Sequence, residues 1–190
     1  MTSTINKIIA ETTDFEDSKT LELLKLSEVT KEQGYLTKEQ TIRILKWKSP
    51  RPLRFYEQNS NRDIETITKL AFQQNDDKLK IHILTALKGV NYPSASAILM
   101  FYEPKNYPVL DIRVWKQLYK NNLVTTNAKG QNFTLEQWAT YLKIIRRLAI
   151  ENKLTSRQVE KRLFDYDKST QIGNLLKFNG MNLKKRKRQE

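Results

Sequence analysis

The stretch from Leu87 to Leu118, LKGVNYPSASAILMFYEPKNYPVLDIRVWKQL, leaves this chain few options. Leu84 and Leu87 close one helix, and Gly89 supplies the unhindered backbone that a sharp reversal requires. Asn91, a residue that tolerates the left-handed conformation, follows two positions later. Pro93 fits the first turn of a new helix, where its missing N–H would have had no partner. Ala95, Ser96 and Ala97 add little bulk, so that helix can approach its neighbours closely. After the short loop Tyr107-Pro108-Val109-Leu110, Asp111 stands at the mouth of a third helix. The pattern is that of a helix-hairpin-helix.

The rest of the chain reads as helix too. Only 5 Gly and 5 Pro punctuate 190 residues, and Leu, Ile, Lys, Glu and Gln dominate the runs between them, which predicts an all-α fold. Leu21, Leu24 and Val29 predict a short helix over residues 18–30, which Gly34 prevents from continuing. Thr37 with Gln40, Thr134 with Gln137 and Thr155 with Gln158 have the spacing of capping boxes. Each opens an amphipathic run: Ile42 to Trp47, Trp138 to Ala149, and Val159 to Phe164. Ser60 or Asn61 opens another, and Lys78 to Leu87 is the first helix of the hairpin. The expected organisation is a loosely held acidic extension over 1–17, a helical domain over 18–178 and a polybasic tail over 179–190 that ends in KKRKR.

Charge points to the partner. The 34 Lys and Arg against 21 Asp and Glu leave a formal +13. Residues 1–35 carry −3 and residues 177–190 carry +5, so +11 falls on the middle of the chain. A folded part this basic calls for a polyanion, nucleic acid before a membrane surface. The absence of cysteine excludes disulfides and a cysteine-held iron–sulfur cluster. No apolar run approaches the roughly 20 residues of a membrane span, and no signal-peptide pattern opens the chain. His82, the single histidine, has no cysteine or second histidine to complete a zinc site and reads as a core-edge or surface residue.

The loop WKSPRPLRFYEQNSNR, from Trp47 to Arg62, is the second informative stretch. It interleaves Trp47, Phe55 and Tyr56 with Lys48, Arg51 and Arg54. Such a mixture suits stacking on bases beside neutralisation of phosphates, although aromatics of this kind also anchor a proline-rich connection to a core. At the hairpin, backbone N–H groups of Gly89, Val90, Asn91 and Tyr92 stand at a helix N-terminus, where partial positive charge favours an anion, and Lys88 adds a full charge. Against a DNA backbone this gives a grip that ignores sequence. Asp111 is, on its own residues, a favoured helix N-cap.

These residues together resemble the helix-hairpin-helix DNA glycosylase superfamily, which includes endonuclease III and the adenine glycosylases. Leu87, Gly89, Val90, Ala95, Ile98 and Leu99 follow its consensus, and YPVLDIRVWKQL looks like the adenine glycosylase version of the same element. The resemblance is firm over about Leu84 to Leu118. It implies an all-α glycosylase-like domain that binds double-stranded DNA as a monomer, with no cofactor beyond a monovalent cation at the hairpin, in the cytoplasm or nucleoid or, in a eukaryote, the nucleus. It also implies a catalytic role for Asp111, since a nearby carboxylate stabilises the positive charge that develops on a sugar when its glycosidic bond breaks. Reaching it requires an extruded nucleotide. The residues offered for its base pocket are Trp47, Tyr56 and Asn59, with Tyr92 or Tyr107 near the duplex. Two positions depart from the consensus. The second hairpin glycine is Asn91, and Pro93, 18 positions before Asp111, stands where bifunctional members carry a nucleophilic lysine. The resemblance therefore implies base removal by hydrolysis, without a Schiff base at that position. Glu57 and Glu39 are conceivable second acids that match no motif. The competing class is a noncatalytic DNA-binding module on the same fold.

Overall fold

The computed structural model describes residues 4–171, and its described residues form eleven helices and no strand. The tail ending in KKRKR lies outside them. In chain order the helices are α1 (Thr4–Glu11), α2 (Ser18–Leu24), α3 (Leu26–Gln33), α4 (Lys38–Lys48), α5 (Leu53–Tyr56), α6 (Asn61–Phe72), α7 (Asp77–Leu84), α8 (Tyr92–Tyr102), α9 (Ile112–Lys120), α10 (Leu135–Asn152) and α11 (Ser156–Thr170). The start signals act as their spacing implies. Thr37, Thr134 and Thr155 each complete a reciprocal capping box with the glutamine three residues on, and Ser60 does the same with Asp63. Each such cap is worth about 1 kcal/mol.

Helix α8 is the axis. Every residue from Ser94 to Phe101 is buried, and the small side chains at its start let α2, α3, α4 and α7 close round it. Helices α5 and α6 pack against this group through α4 and α7, while α1, α9 and α10 gather on α11. Segment 107–111 joins the two groups without helical hydrogen bonds of its own, so side chains satisfy its backbone. Ser96 Oγ accepts from Leu110 N at 2.8 Å, and the Tyr141 hydroxyl donates to Val109 O at 2.8 Å. Asp111 is thereby delivered at a fixed point between the groups.

Two expectations fail. Residues 1–17 are not a loose extension: 4–11 form α1, whose Ile5, Ile8 and Ile9 are buried against α10 and α11. Three isoleucines on one helical face outweigh the polar residues around them. The predicted helix over 18–30 breaks at Lys25, and its inner face is Thr20, Leu23, Ser27 and Thr30, leaving Leu21 and Val29 exposed. Polar residues go inside there because they find partners: Ser27 Oγ donates to Tyr102 O at 2.8 Å, and Thr20 meets Asp17 and Trp47.

Candidate active site and nucleic-acid interface

The hairpin is built from α7, α8 and a brace beneath them. Helix α7 ends at Leu84, short of the expected Leu87, and tight turns carry the chain on, with Leu87 N donating to Leu84 O and Val90 N to Leu87 O. Gly89 takes φ +81°, and a Cβ there would stand 2.8 Å from Phe55 Cβ, so glycine is required both by conformation and by space. Asn91 does not share the left-handed role foreseen for it. It is extended at φ −110° and caps α8, its side chain accepting from Ser94 N at 3.1 Å.

Tyr56 and Asn59 were expected to face a base, and both are buried under the hairpin instead. Asn59 binds the turn at both ends of one residue: Nδ2 donates to Lys88 O at 3.2 Å and Oδ1 accepts from Lys88 N at 2.8 Å. The Tyr56 hydroxyl lies 3.4 Å from Ser94 Oγ. Their polar groups are spent holding the turn. Of the hairpin amides, those of Gly89 and Asn91 have no protein acceptor among the described residues, while Lys88 N and Val90 N are engaged and the Val90 side chain is buried. The Lys88, Arg51 and Arg54 side chains are exposed, and the Arg54 guanidinium lies 4.6 Å from the centroid of Phe55, itself 41% exposed. Tyr92 is partly buried, its hydroxyl 3.0 Å from Nδ1 of the exposed His82. Tyr107 points inward, donating to Asp77 Oδ1 at 2.6 Å; burial and Asp77 push its hydroxyl pKa well up. It cannot serve a duplex from there.

Asp111 caps α9, its Oδ1 accepting from Arg113 N at 2.9 Å. Its Oδ2 accepts from Lys48 Nζ at 2.8 Å. The two side chains are only 19% and 13% exposed. Burial pushes the Asp111 carboxyl pKa up, but the Lys48 charge and hydrogen bond and the Arg113 amide outweigh it, and the result lies below the ordinary carboxylate value. Asp111 is therefore an anion at neutral pH. Behind it, Arg157 pairs with Glu160 and, at 2.6 Å, with Glu16. Complete burial raises the Glu160 carboxyl pKa despite Arg157, and both glutamates hold the Arg157 guanidinium charged.

These groups surround an open cavity of about 320 Å³ between the end of α4, segment 107–111 and α11. Trp47, Lys48, Asp111 and Phe164 all line it. Trp47 is held rather than free: Nε1 donates to Thr20 Oγ1 at 2.9 Å, Phe101 meets its ring edge-on at 4.9 Å, and Arg157 lies 5.6 Å from its centroid. Of the three residues offered for a base pocket, only Trp47 lines this cavity. Glu39 and Glu57 are exposed and take no part in it. Thr20, Arg157, Glu160 and Phe164 do line it and carry no local signal in the sequence, because α2 and α11 reach the site only through the fold. Among the described residues no group of three or more His, Cys, Asp or Glu could hold a metal ion, and no helix is long and apolar enough to cross a membrane.

An all-helical domain with a hairpin beside an aspartate-capped helix has the helix-hairpin-helix DNA glycosylase fold. Among solved structures the chain is similar to the 8-oxoguanine glycosylase/lyase of Methanocaldococcus jannaschii in complex with a 15mer DNA containing 8-oxoguanine. The TM-score is 0.51 at 16% identity, over 89% of this chain and 80% of that one. No protein-family model matches the sequence, and a comparison with curated proteins finds no match.

Proposed function

We propose that this protein grips duplex DNA through the hairpin and excises a base from an extruded nucleotide by hydrolysis, with Asp111 as the essential carboxylate. One observation carries the reading: an anionic aspartate, fixed at a helix N-terminus, lines an open cavity together with an immobilised tryptophan. A cavity of this size is at the small end of ligand sites and suits one base rather than a large ligand. When the C1′–N bond breaks, its electron pair leaves with the base and the sugar becomes cationic. Asp111 opposes that charge and orients the water whose oxygen bonds to C1′. The free Gly89 and Asn91 amides and the Lys88 side chain meet a phosphate, and Arg51 and Arg54 meet others. The similar structure holds DNA, which agrees with this role for the fold. The protein acts on double-stranded DNA as a monomer and needs no cofactor.

A noncatalytic module is the second reading, and one feature favours it: Lys48 already neutralises Asp111 in the free protein. Incubation with duplexes carrying a panel of damaged and modified bases, followed by hot alkali, separates the two. Abasic sites formed by wild type and lost in Asp111→Asn support catalysis; strand breakage equal in both proteins removes Asp111 from the reaction. A gel shift in which Gly89→Pro binds DNA as wild type does would remove the hairpin from the grip.

A further inference from the structure

The ion pair at Asp111 sets opposite charges side by side in the cavity. Lys48 is the last residue of α4, where the partial negative charge of a helix C-terminus favours a cation, and its Nζ is 2.8 Å from Asp111 Oδ2. Both side chains line the same open space. A nearly buried ion pair is weak evidence of a stabilising role, because desolvation of the two charges cancels much of their attraction. An ammonium has three N–H donors, and among the described residues Lys48 Nζ has one acceptor, Asp111, so donors remain for a bound group. The other cations of the cavity are engaged or exposed: Arg157 meets Glu16 and Glu160, Lys161 meets Asp165, and Lys168 is at the surface. Its other acids are engaged too, Glu16 and Glu160 by Arg157, Asp165 by Lys161, and Asp17 as the cap of α2.

We propose that the Lys48 ammonium is a second catalytic group, the acid that gives a proton to the departing base, and that the protein therefore acts on neutral bases, which leave as anions. The inference rests on the reading of the cavity as a nucleotide site with Asp111 at C1′. Breaking an N-glycosidic bond puts positive charge on the sugar and negative charge on the base. A carboxylate and an ammonium 2.8 Å apart match that separation with opposite signs. As the C1′–N bond breaks and its electron pair goes to the base, Lys48 Nζ gives the base a proton. The water that Asp111 orients bonds through its oxygen to C1′ and loses a proton to the carboxylate. That proton crosses the contact between the two side chains to the neutral amine, and the pair returns to its starting charges. In sum, one water is consumed, its hydroxyl stays on C1′ and the base leaves with a hydrogen. No oxidant or reductant enters, and the amine forms no bond to carbon. A base already alkylated to a cation leaves neutral and gains nothing from this acid.

Full-length protein in excess over each duplex of the panel gives the rate of base release in a single turnover. Lys48→Ala is expected to lower that rate by roughly a hundredfold or more while its affinity for unmodified duplex, read by gel shift, is kept. Because the cavity is open, methylammonium chloride should restore part of the rate to Lys48→Ala. Tetramethylammonium chloride at the same concentration carries the charge without an N–H and should not. A thermal melt checks that the variant is folded. Lys48→Arg, which keeps a cation beside Asp111 but does not give up its proton, is the second variant and should also lose release. An undiminished rate in folded Lys48→Ala or Lys48→Arg overturns the proposal, as does rescue by tetramethylammonium equal to that by methylammonium. Release confined to bases that already carry a positive charge, such as 7-methylguanine, overturns it as well. Release that needs Asp111 but not Lys48 defeats Lys48 alone and leaves the hydrolytic reading standing, whereas no release of any base by wild type defeats both.

Discussion

At the scale of single residues, Asp111 balances opposing effects. Burial disfavours its charge, while Lys48 and the Arg113 amide favour it and prevail. Because its pKa is lower in the folded protein than in the unfolded chain, Asp111 contributes stability that is fully present above the unfolded value of 3.8 and lost as pH falls through the lower folded value. Asp111→Asn removes that contribution and leaves Lys48 facing an amide. At pH 7 the variant should be less stable by roughly 1–3 kcal/mol, the scale of a hydrogen-bonded charge losing its partner. The gap should narrow between pH 7 and a pH well below 3.8, where wild type also loses the anion. Urea unfolding of both proteins at the two pH values checks this, and a constant gap would assign the loss to packing. Glu160 runs the other way. Its raised pKa makes its contribution favourable below the unfolded value of 4.5 and lost as pH rises through the folded value; burial drives the rise, and the Arg157 charge and hydrogen bond act against it.

Among the elements, the hairpin depends on a brace outside it. Asn59→Ala removes both hydrogen bonds to Lys88 and leaves two backbone groups of the turn without them, at a cost of about 1–3 kcal/mol. If Asn59 acts only beneath the turn, the substitution should weaken binding to undamaged and modified duplexes by the same factor in a gel shift. A loss confined to one modified base would return Asn59 to the pocket. Gly89→Ala forces a side chain into φ +81° against Phe55 and should lower both stability, by about 1–3 kcal/mol, and DNA affinity. The turn was legible because its requirements are local: Gly89 reports its own φ, Pro93 its own helix start, Thr37 and Gln40 their own cap. The cavity was half legible. Trp47, Lys48 and Asp111 lie in stretches with local patterns, whereas Phe164 and Arg157 sit on α11 among residues that read as an ordinary amphipathic helix. Tyr56 and Asn59 misled because an aromatic and an amide look alike whether they face a base or a backbone. Helix α1 was missed because Ile5, Ile8 and Ile9 gain their burial from α10 and α11, which lie far along the chain.

Over the whole molecule, charge is sorted by what it meets. The acidic N-terminal segment is spent on α11, where Asp14 meets Arg162 at 2.7 Å and Glu16 meets Arg157, so these cations face carboxylates rather than solvent. Lys88 in the hairpin turn and Arg51 and Arg54 in the stretch after α4 are, by contrast, exposed. The proposed DNA contact should therefore draw on them and not on α11. If each neutralises one phosphate, each contributes about −0.9 to the slope of log K against log salt concentration. Replacing all three by alanine should make that slope shallower by about 3 and weaken binding to every duplex alike, since phosphate contacts carry no sequence information. Fluorescence anisotropy on one labelled duplex over a series of potassium chloride concentrations measures both quantities. An unchanged slope would mean that the +13 of the chain engages DNA through another surface, and the hairpin would then lose its place as the grip.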